Sequence, residues 1–407
     1  MTTNLVHRRD RTAAPWWRSS VVCDLPGTLS AVDLERMQSF LPDVAGLGFA
    51  AVLVRPSTLE SKKSRHALED FITAAHSLGL RVIVRVFLPR DEEELETTVS
   101  PPLLPLEHDV QYLQDQTRTV LKLGANGVDL GMLDEAQGDP DSAASARAFT
   151  AAVQELLAEV TLADESTVLS AAVRLEPRDQ VQHHLAEEWF HHLRDDSLTT
   201  APWNAVDLSR RITDTYADRD PLGQSAAWRY SLPRWSPSPL TRDSAGYGWA
   251  ADSNSSDREM AMMLLTLALP GASYIPFLHV GGGVRASKGK KPKLKVSFDR
   301  GRAAQLRSRV AGEAIGLRLR LGLGEASLAT VDGLEWAGRD VLVMLVGTTM
   351  VVLNTGDSPI IVPSEYGLAI SSKVWPQVTA EGTKVNPESC AWFHTQPLRP
   401  DGPRAYR

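Results

Sequence analysis

Three groups of residues in this chain could carry chemistry. The first is a histidine segment, in which His183, His184, His191 and His192 surround Glu187 and Glu188. On one continuous helix His184, Glu188 and His191 would share a face, as metal ligands do. No further ligand is recognisable, so an exposed polar helix face is the plainer reading and no metal or other cofactor is expected. The second is a basic run after Gly281-Gly282-Gly283, made of Arg285, Lys288, Lys290, Lys291, Lys293 and Lys295. It reads either as a solvated loop or as a docking surface for an acidic protein, a nucleic acid or an anionic membrane. The three glycines are not a phosphate cradle, because no Lys-Ser/Thr pair follows at the required spacing. The third group is Trp228, Trp235 and Trp249. Such rings can stack on sugars, although they more often pack in a core or at its rim.

These residues need elements to position them. Short apolar, β-branched runs alternate with longer stretches of helical periodicity. Val21-Val22-Cys23 precedes Leu34, Met37, Phe40, Leu41 and Val44 at helical spacing, and the helix ends at Gly46 or Gly48. Ala51 to Val54 precedes a helix over 65–78, and the run Arg81 to Phe87 is apolar enough for a strand buried on both faces. The alternation continues through Gly127 to Leu130, Val168 to Val173, Ala227 to Ser231 and Ala272 to Phe277, with helices between them. The pair around 181–192 is the weakest. About eight βα units predict a (β/α)8 barrel over residues 1–316. After Gly316 the texture changes to Val-rich runs, with Gly347-Thr348-Thr349 as a hairpin turn. A small antiparallel β-sandwich over 317–395 and a loose tail over 396–407 are expected.

Composition narrows the function classes. The chain of 407 residues is 43% hydrophobic and 23% charged, ordinary for a soluble domain. A net charge of -7 argues against bulk nucleic-acid binding. Two cysteines, Cys23 and Cys390, form neither a disulfide framework nor a zinc motif, so a reducing cytoplasm is the expected location. The first residues lack an apolar signal-peptide core. The apolar run 261–280 is broken by Pro270-Gly271, which predicts a helix, a turn and a strand and no transmembrane segment.

The order of several short motifs resembles glycoside hydrolase family 13, the α-amylase superfamily, in its α-glucosidase-like members. They are Trp16-Trp17-Arg18, Asp24-Leu25-Pro26-Gly27, Leu47-Gly48-Phe49-Ala50-Ala51-Val52 and His76-Ser77-Leu78-Gly79-Leu80-Arg81-Val82-Ile83. Leu123-Gly124-Ala125-Asn126-Gly127-Val128 and Leu267-Ala268-Leu269-Pro270-Gly271-Ala272 continue the series. The resemblance implies the barrel and the C-terminal β-domain; it does not imply activity. The inserted domain that walls the sugar cleft after strand three is largely missing, since only Leu88 to Leu106 occupies its place.

The family's retaining chemistry uses two carboxylates about 5–5.5 Å apart, one attacking the anomeric carbon and one protonating the leaving oxygen. Aligned on the family's motifs, the nucleophile position is Gly131, the acid/base position Ala171 and the third carboxylate position Arg234. No catalytic residue is therefore expected. Asp134, Glu135 and Glu176 are near in sequence but would sit on loops beyond the strand ends. Arg85, Asp129 and Arg234 replace Asp, Arg and Asp of the family pattern, so charge has changed sign at each place. Two readings of this rebuilt pocket stay open: an ion pair of Asp129 with Arg85 or Arg234, or an anion site. The implied function is a catalytically inactive homologue acting as a protein-binding or scaffold module with a partner of unknown identity. The alternatives are an α-glucosidase-like hydrolase or transglycosidase, and a sensor of a carbohydrate, a sugar phosphate or another anionic ligand.

Overall fold

A computed structural model describes residues 1–9, 14–86, 107–133, 142–173, 178–231, 248–250, 256–286, 294–298, 301–373 and 375–395. The first strand, β1 (Thr2–His7), is followed by eight that close into a barrel. These are β2 (Val21–Asp24), β3 (Ala51–Val54), β4 (Arg81–Arg85), β5 (Gly127–Met132), β6 (Val168–Ala172), β7 (His192–Arg194), β8 (Ala227–Arg229) and β9 (Ala272–Pro276). All are parallel, and β9 returns to β2 with Val22 opposite Tyr274. The (β/α)8 architecture is thus as the alternating pattern predicts.

Helices cover the barrel because each carries an apolar face toward it. The helix Lys62–Ser77 buries Ala67, Leu68, Phe71, Ile72 and Ala75 at spacings of three and four. The single helix expected after β2 is instead two, Ala31–Gln38 and Leu41–Gly46. Ser30 and Asp33 form a capping box on the first, and Pro42 at the start of the second has no N–H to continue a helix. The apolar run 261–280 divides into the helix Ser256–Ala268 and β9. Among the described residues no helix is long and apolar enough to cross a membrane.

Beyond the barrel β10 (Gly282–Ala286) and β11 (Leu294–Phe298) form an antiparallel hairpin. The basic run expected to be a loop begins and ends on it, with Arg285 opposite Lys295. Lys288, Lys290, Lys291 and Lys293 lie outside the described residues.

The C-terminal strands are β12 (Leu328–Asp332), β13 (Val341–Val346), β14 (Thr349–Asn354), β15 (Ile360–Pro363), β16 (Gly367–Ser371), β17 (Gln377–Val378), β18 (Gly382–Val385) and β19 (Ser389–His394). They form an antiparallel sheet in the order β1-β12-β13-β14-β19-β16 and a second in the order β15-β18-β17. Val343, Met350, Val352, Val362, Val385 and Phe393 share a core there. Two expected boundaries change. The chain's first strand pairs with β12, so it belongs to this sheet and not to the barrel. Gly316 lies inside the helix Arg302–Leu321, which ends where Gly322 takes a left-handed φ of 61°. The tail 396–407 lies outside the described residues.

Candidate functional site: a charged network at the barrel mouth

Successive residues of a strand face opposite sides of the sheet, so every second residue of β2 to β9 points into the barrel. Val22, Ala51, Leu53, Ile83, Ala227 and Tyr274 form an apolar interior cluster, with Trp16 packed against it. The same faces, followed to the C-terminal ends of the strands, carry Asp24, Arg55, Arg85, Asp129, Arg194 and Arg229. That end is where enzymes of this architecture place their chemistry.

Asp129 is fully buried at the centre of the set. Its Oδ2 accepts from Arg85 Nε at 2.6 Å and also meets Arg85 Nη2. Its Oδ1 accepts from Ser170 Oγ at 2.9 Å and from Arg194 Nη2. The Arg194 guanidinium lies 4.6 Å above the centre of the Tyr274 ring, a favourable cation–π position. Tyr274 and His192 carry the network downward. His192 Nε2 is 2.8 Å from the Trp17 carbonyl, which can only accept, so Nε2 holds the proton. Nδ1 of the neutral ring then accepts from the Tyr274 hydroxyl at 2.7 Å. To one side Arg55 Nη2 lies 2.6 Å from Asp24 Oδ1, and Arg55 Nη1 donates to the Leu25 carbonyl at 2.6 Å. Arg229 Nε donates to the Asp195 carbonyl at 3.0 Å, while the Asp195 carboxylate is held by Arg219 at 2.8 Å.

Proton affinities follow from burial and charge. Burial alone would raise Asp129, but Arg194 and Arg85, with Arg55 beyond them, outweigh it and hold the carboxyl well below the usual range. Burial pushes Arg85 down to about 10 despite Asp129, and Arg55 and Arg194 add to the fall. Burial and Arg194 lower Arg229; Asp196, Asp195 and Asp24 act the other way without offsetting them. Burial also takes His192 down to about 3 and Tyr274 up to about 12. At neutral pH the network therefore holds an ionised Asp129, charged arginines, a neutral imidazole and a protonated phenol. None of these groups is poised to exchange a proton near pH 7.

Some of the expected site residues meet and others do not. Arg85 and Asp129 pair as the charge exchange suggested. Arg234 lies outside the described residues, and the second arginine on Asp129 is Arg194. Sequence reasoning missed it because β7 is three residues long, too short for periodicity to register. Gly131 sits in a bulge between Asp129 and Met132 of β5 with φ 79°, a conformation that favours glycine. Ala171, the residue aligned with the acid/base position, faces away from Asp129. It packs in the core outside the barrel with Val128, Leu169 and Leu193, because strand alternation gives the inner face to Ser170.

The single helix face that would have grouped His184, Glu188 and His191 does not form. The helix Arg178–Ala186 ends before Glu188, which has φ 56°, and His192 belongs to β7. His184 is buried, with ring contacts to His183, Trp189 and Phe190. Among the described residues no group of three His, Cys, Asp or Glu side chains could hold a metal ion. Trp228 and Trp249 are buried and donate to the carbonyls of Pro270 at 2.6 Å and Tyr230 at 2.9 Å, so both are core residues. Trp235, Asp134, Glu135 and Glu176 lie outside the described residues.

No family model matches the chain, and no curated protein matches it in sequence. Solved structures do match in fold. The alpha-amylase from H. orenii is 11% identical, with a TM-score of 0.60 over 92% of this chain and 99% of that one. CldA, a cyclomaltodextrin glucanotransferase with a three-domain ABC distribution, is 12% identical, with a TM-score of 0.58 over 94% of this chain and 100% of that one. A family GH13_31 enzyme is 9% identical, with a TM-score of 0.62 over 93% of this chain and 99% of that one. At such identities the likeness concerns fold alone: this chain has the fold of the α-amylase superfamily.

Proposed function

We propose that this chain is a catalytically inactive α-amylase-like protein whose barrel mouth serves binding and not hydrolysis. The observation that carries the reading is the state of Asp129. Retaining hydrolysis needs one carboxylate free to attack and a second, protonated one about 5–5.5 Å away. On the inner faces of β5 and β6 among the described residues, Asp129 is the carboxylate, and both its oxygens are engaged by Arg85, Arg194 and Ser170. Freeing it would leave two buried guanidiniums without their counter-charge. Held ionised, it has no proton to give a leaving group. Gly131 and Ser170, its neighbours on the same two strands, supply neither role.

A binding or scaffold role follows from the retention of a rigid barrel without this chemistry. The test is release of nitrophenol from 4-nitrophenyl α-glucoside and hydrolysis of maltooligosaccharides by the purified protein. The expected rate equals that of buffer. Turnover that is abolished by Asp134→Asn or Glu176→Gln would overturn the reading in favour of a hydrolase using loop carboxylates.

A further inference from the structure

The six-stranded sheet ends in β16 on one side and in β1 on the other, and the two edges are built differently. β16 is partly buried, is irregular between Leu368 and Ile370, and has the helix Arg302–Leu321 against it. In the smaller sheet the outer strands are short: β15 ends at Pro363, and β17 has two residues and follows Pro376. Such features keep a sheet edge from pairing with another strand. From Thr2 to Leu5 β1 has none of them. Its sequence there, Thr-Thr-Asn-Leu, holds no charge, proline or glycine; all four residues are exposed, and the register with β12 is unbroken as far as Leu5. The helix Ala205–Arg219 lies against β1, but it also meets β13 on the far side of β12. It therefore crosses the face of the sheet, where Tyr216 stacks on His7 at 4.5 Å, and does not cover the edge. Among the described residues no strand pairs with the outer side of β1.

We infer that β1 pairs antiparallel with β1 of a second copy of this chain, joining the two sheets into one. The ends of this edge carry opposite charge. Exposed Arg8 and Arg9 follow β1; at its other end exposed Asp332 closes β12 and exposed Glu335 follows. Close to the first end Arg18 adds to the arginines while Asp220 and Glu325 offset two charges, and close to the second Asp340 adds to the acids while Arg339 offsets one. The first end stays positive and the second negative. A two-fold axis normal to the sheet sets the positive end of each copy beside the negative end of the other. Residues opposite each other in an antiparallel pair share a face, so the axis passes through one residue, Thr3 or Asn4, and no like charges meet along the seam. This fit is reciprocal, which favours a second copy over a strand of unrelated sequence. The seam is short, so the association is weak and depends on concentration. The inference goes beyond the proposed function and does not depend on it.

The experiment is sedimentation velocity on the full chain from about 1 μM to about 1 mM, with hydrogen exchange read at the amides of Thr2 to Leu5. A reversible shift from monomer to dimer is expected, with slower exchange at these amides as concentration rises. Added salt should weaken the dimer, because it screens the charges at the two ends. Thr3→Lys sets lysines of the two copies beside each other and should weaken the dimer about fivefold, as like charges across a strand pair do. Thr3 is exposed, so the variant should keep its fold, checked by circular dichroism. Thr3→Val brings no charge and should leave the dimer at least as tight. A monomer over the whole range, or a dimer indifferent to Thr3→Lys, would overturn the inference. So would slow exchange at these amides that does not change with concentration, since a segment of the same chain would then cover the edge. Turnover of a glucoside would sink the proposed function and leave this pairing untouched.

Discussion

The two ends of the barrel are built on opposite principles. At the N-terminal end Trp16 packs under the apolar interior and donates its indole N–H to the Ser166 carbonyl at 2.8 Å. Its outer face is covered by Arg81, whose guanidinium lies 4.6 Å from the ring centre. At the C-terminal end the same inner faces carry arginines and aspartates. The lower end is held by area removed from water, which tolerates imperfect geometry. The upper end is held by charge in a region of low dielectric, where each member depends on its partner. His192 and Tyr274 join the two, from the Trp17 carbonyl below to Arg194 above. The lower end is therefore held by burial, and the upper end by charge pairs in which losing one member is costly.

This contrast can be broken most directly at Asp129. Asp129→Ala leaves Arg85 and Arg194 buried without their shared counter-charge, and a loss of about 3–5 kcal/mol is expected in denaturant unfolding. Trp16→Ala removes a half-buried ring, so it should cost less than full burial would, about 2 kcal/mol. Equal costs for the two variants would mean that the ends are not energetically distinct.

The link between the ends has a signature in pH. Burial takes His192 from an ordinary 6.5 to about 3, so the folded protein binds fewer protons than the unfolded chain across that window. Its contribution is complete above pH 6.5 and is lost as pH falls toward 3, at up to about 1.4 kcal/mol per pH unit. His192→Gln should flatten the decline measured by chemical denaturation; an unchanged slope would place the proton uptake elsewhere. His184, lowered to about 4 by burial and by His183, and His191, lowered by burial, contribute in the same direction to the residual slope. The smallest effect is expected at the bulge. Gly131→Asp places a carboxylate beside Asp129 on β5, but in a left-handed conformation, at a cost of about 1 kcal/mol. Assayed on 4-nitrophenyl α-glucoside, it should show no turnover, because Ser170 offers no acid.

Much of this architecture could be read in one dimension. Runs such as 51–54 and 81–85 are short, apolar and followed at regular intervals by helical periodicity, so the barrel was legible. The pairing of Asp129 was only half visible. Arg85 lies on the neighbouring strand, whereas Arg194 is 65 residues away on a strand of three residues. The facing of Ala171 was hidden for a related reason. Which side of a strand faces inward depends on register, and a displacement of one residue exchanges the two faces.

What the sequence by itself determined is the order of strands and helices, the barrel they close and the residue types available at its mouth. These follow from local periodicity and from where apolar side chains must go. The tertiary structure alone decided that Asp129 is shared by Arg85 and Arg194, that Ser170 and not Ala171 faces inward, and that residue 131 takes a left-handed φ, which favours its glycine. Those facts depend on strand register and barrel closure, which bring together side chains that no local pattern connects.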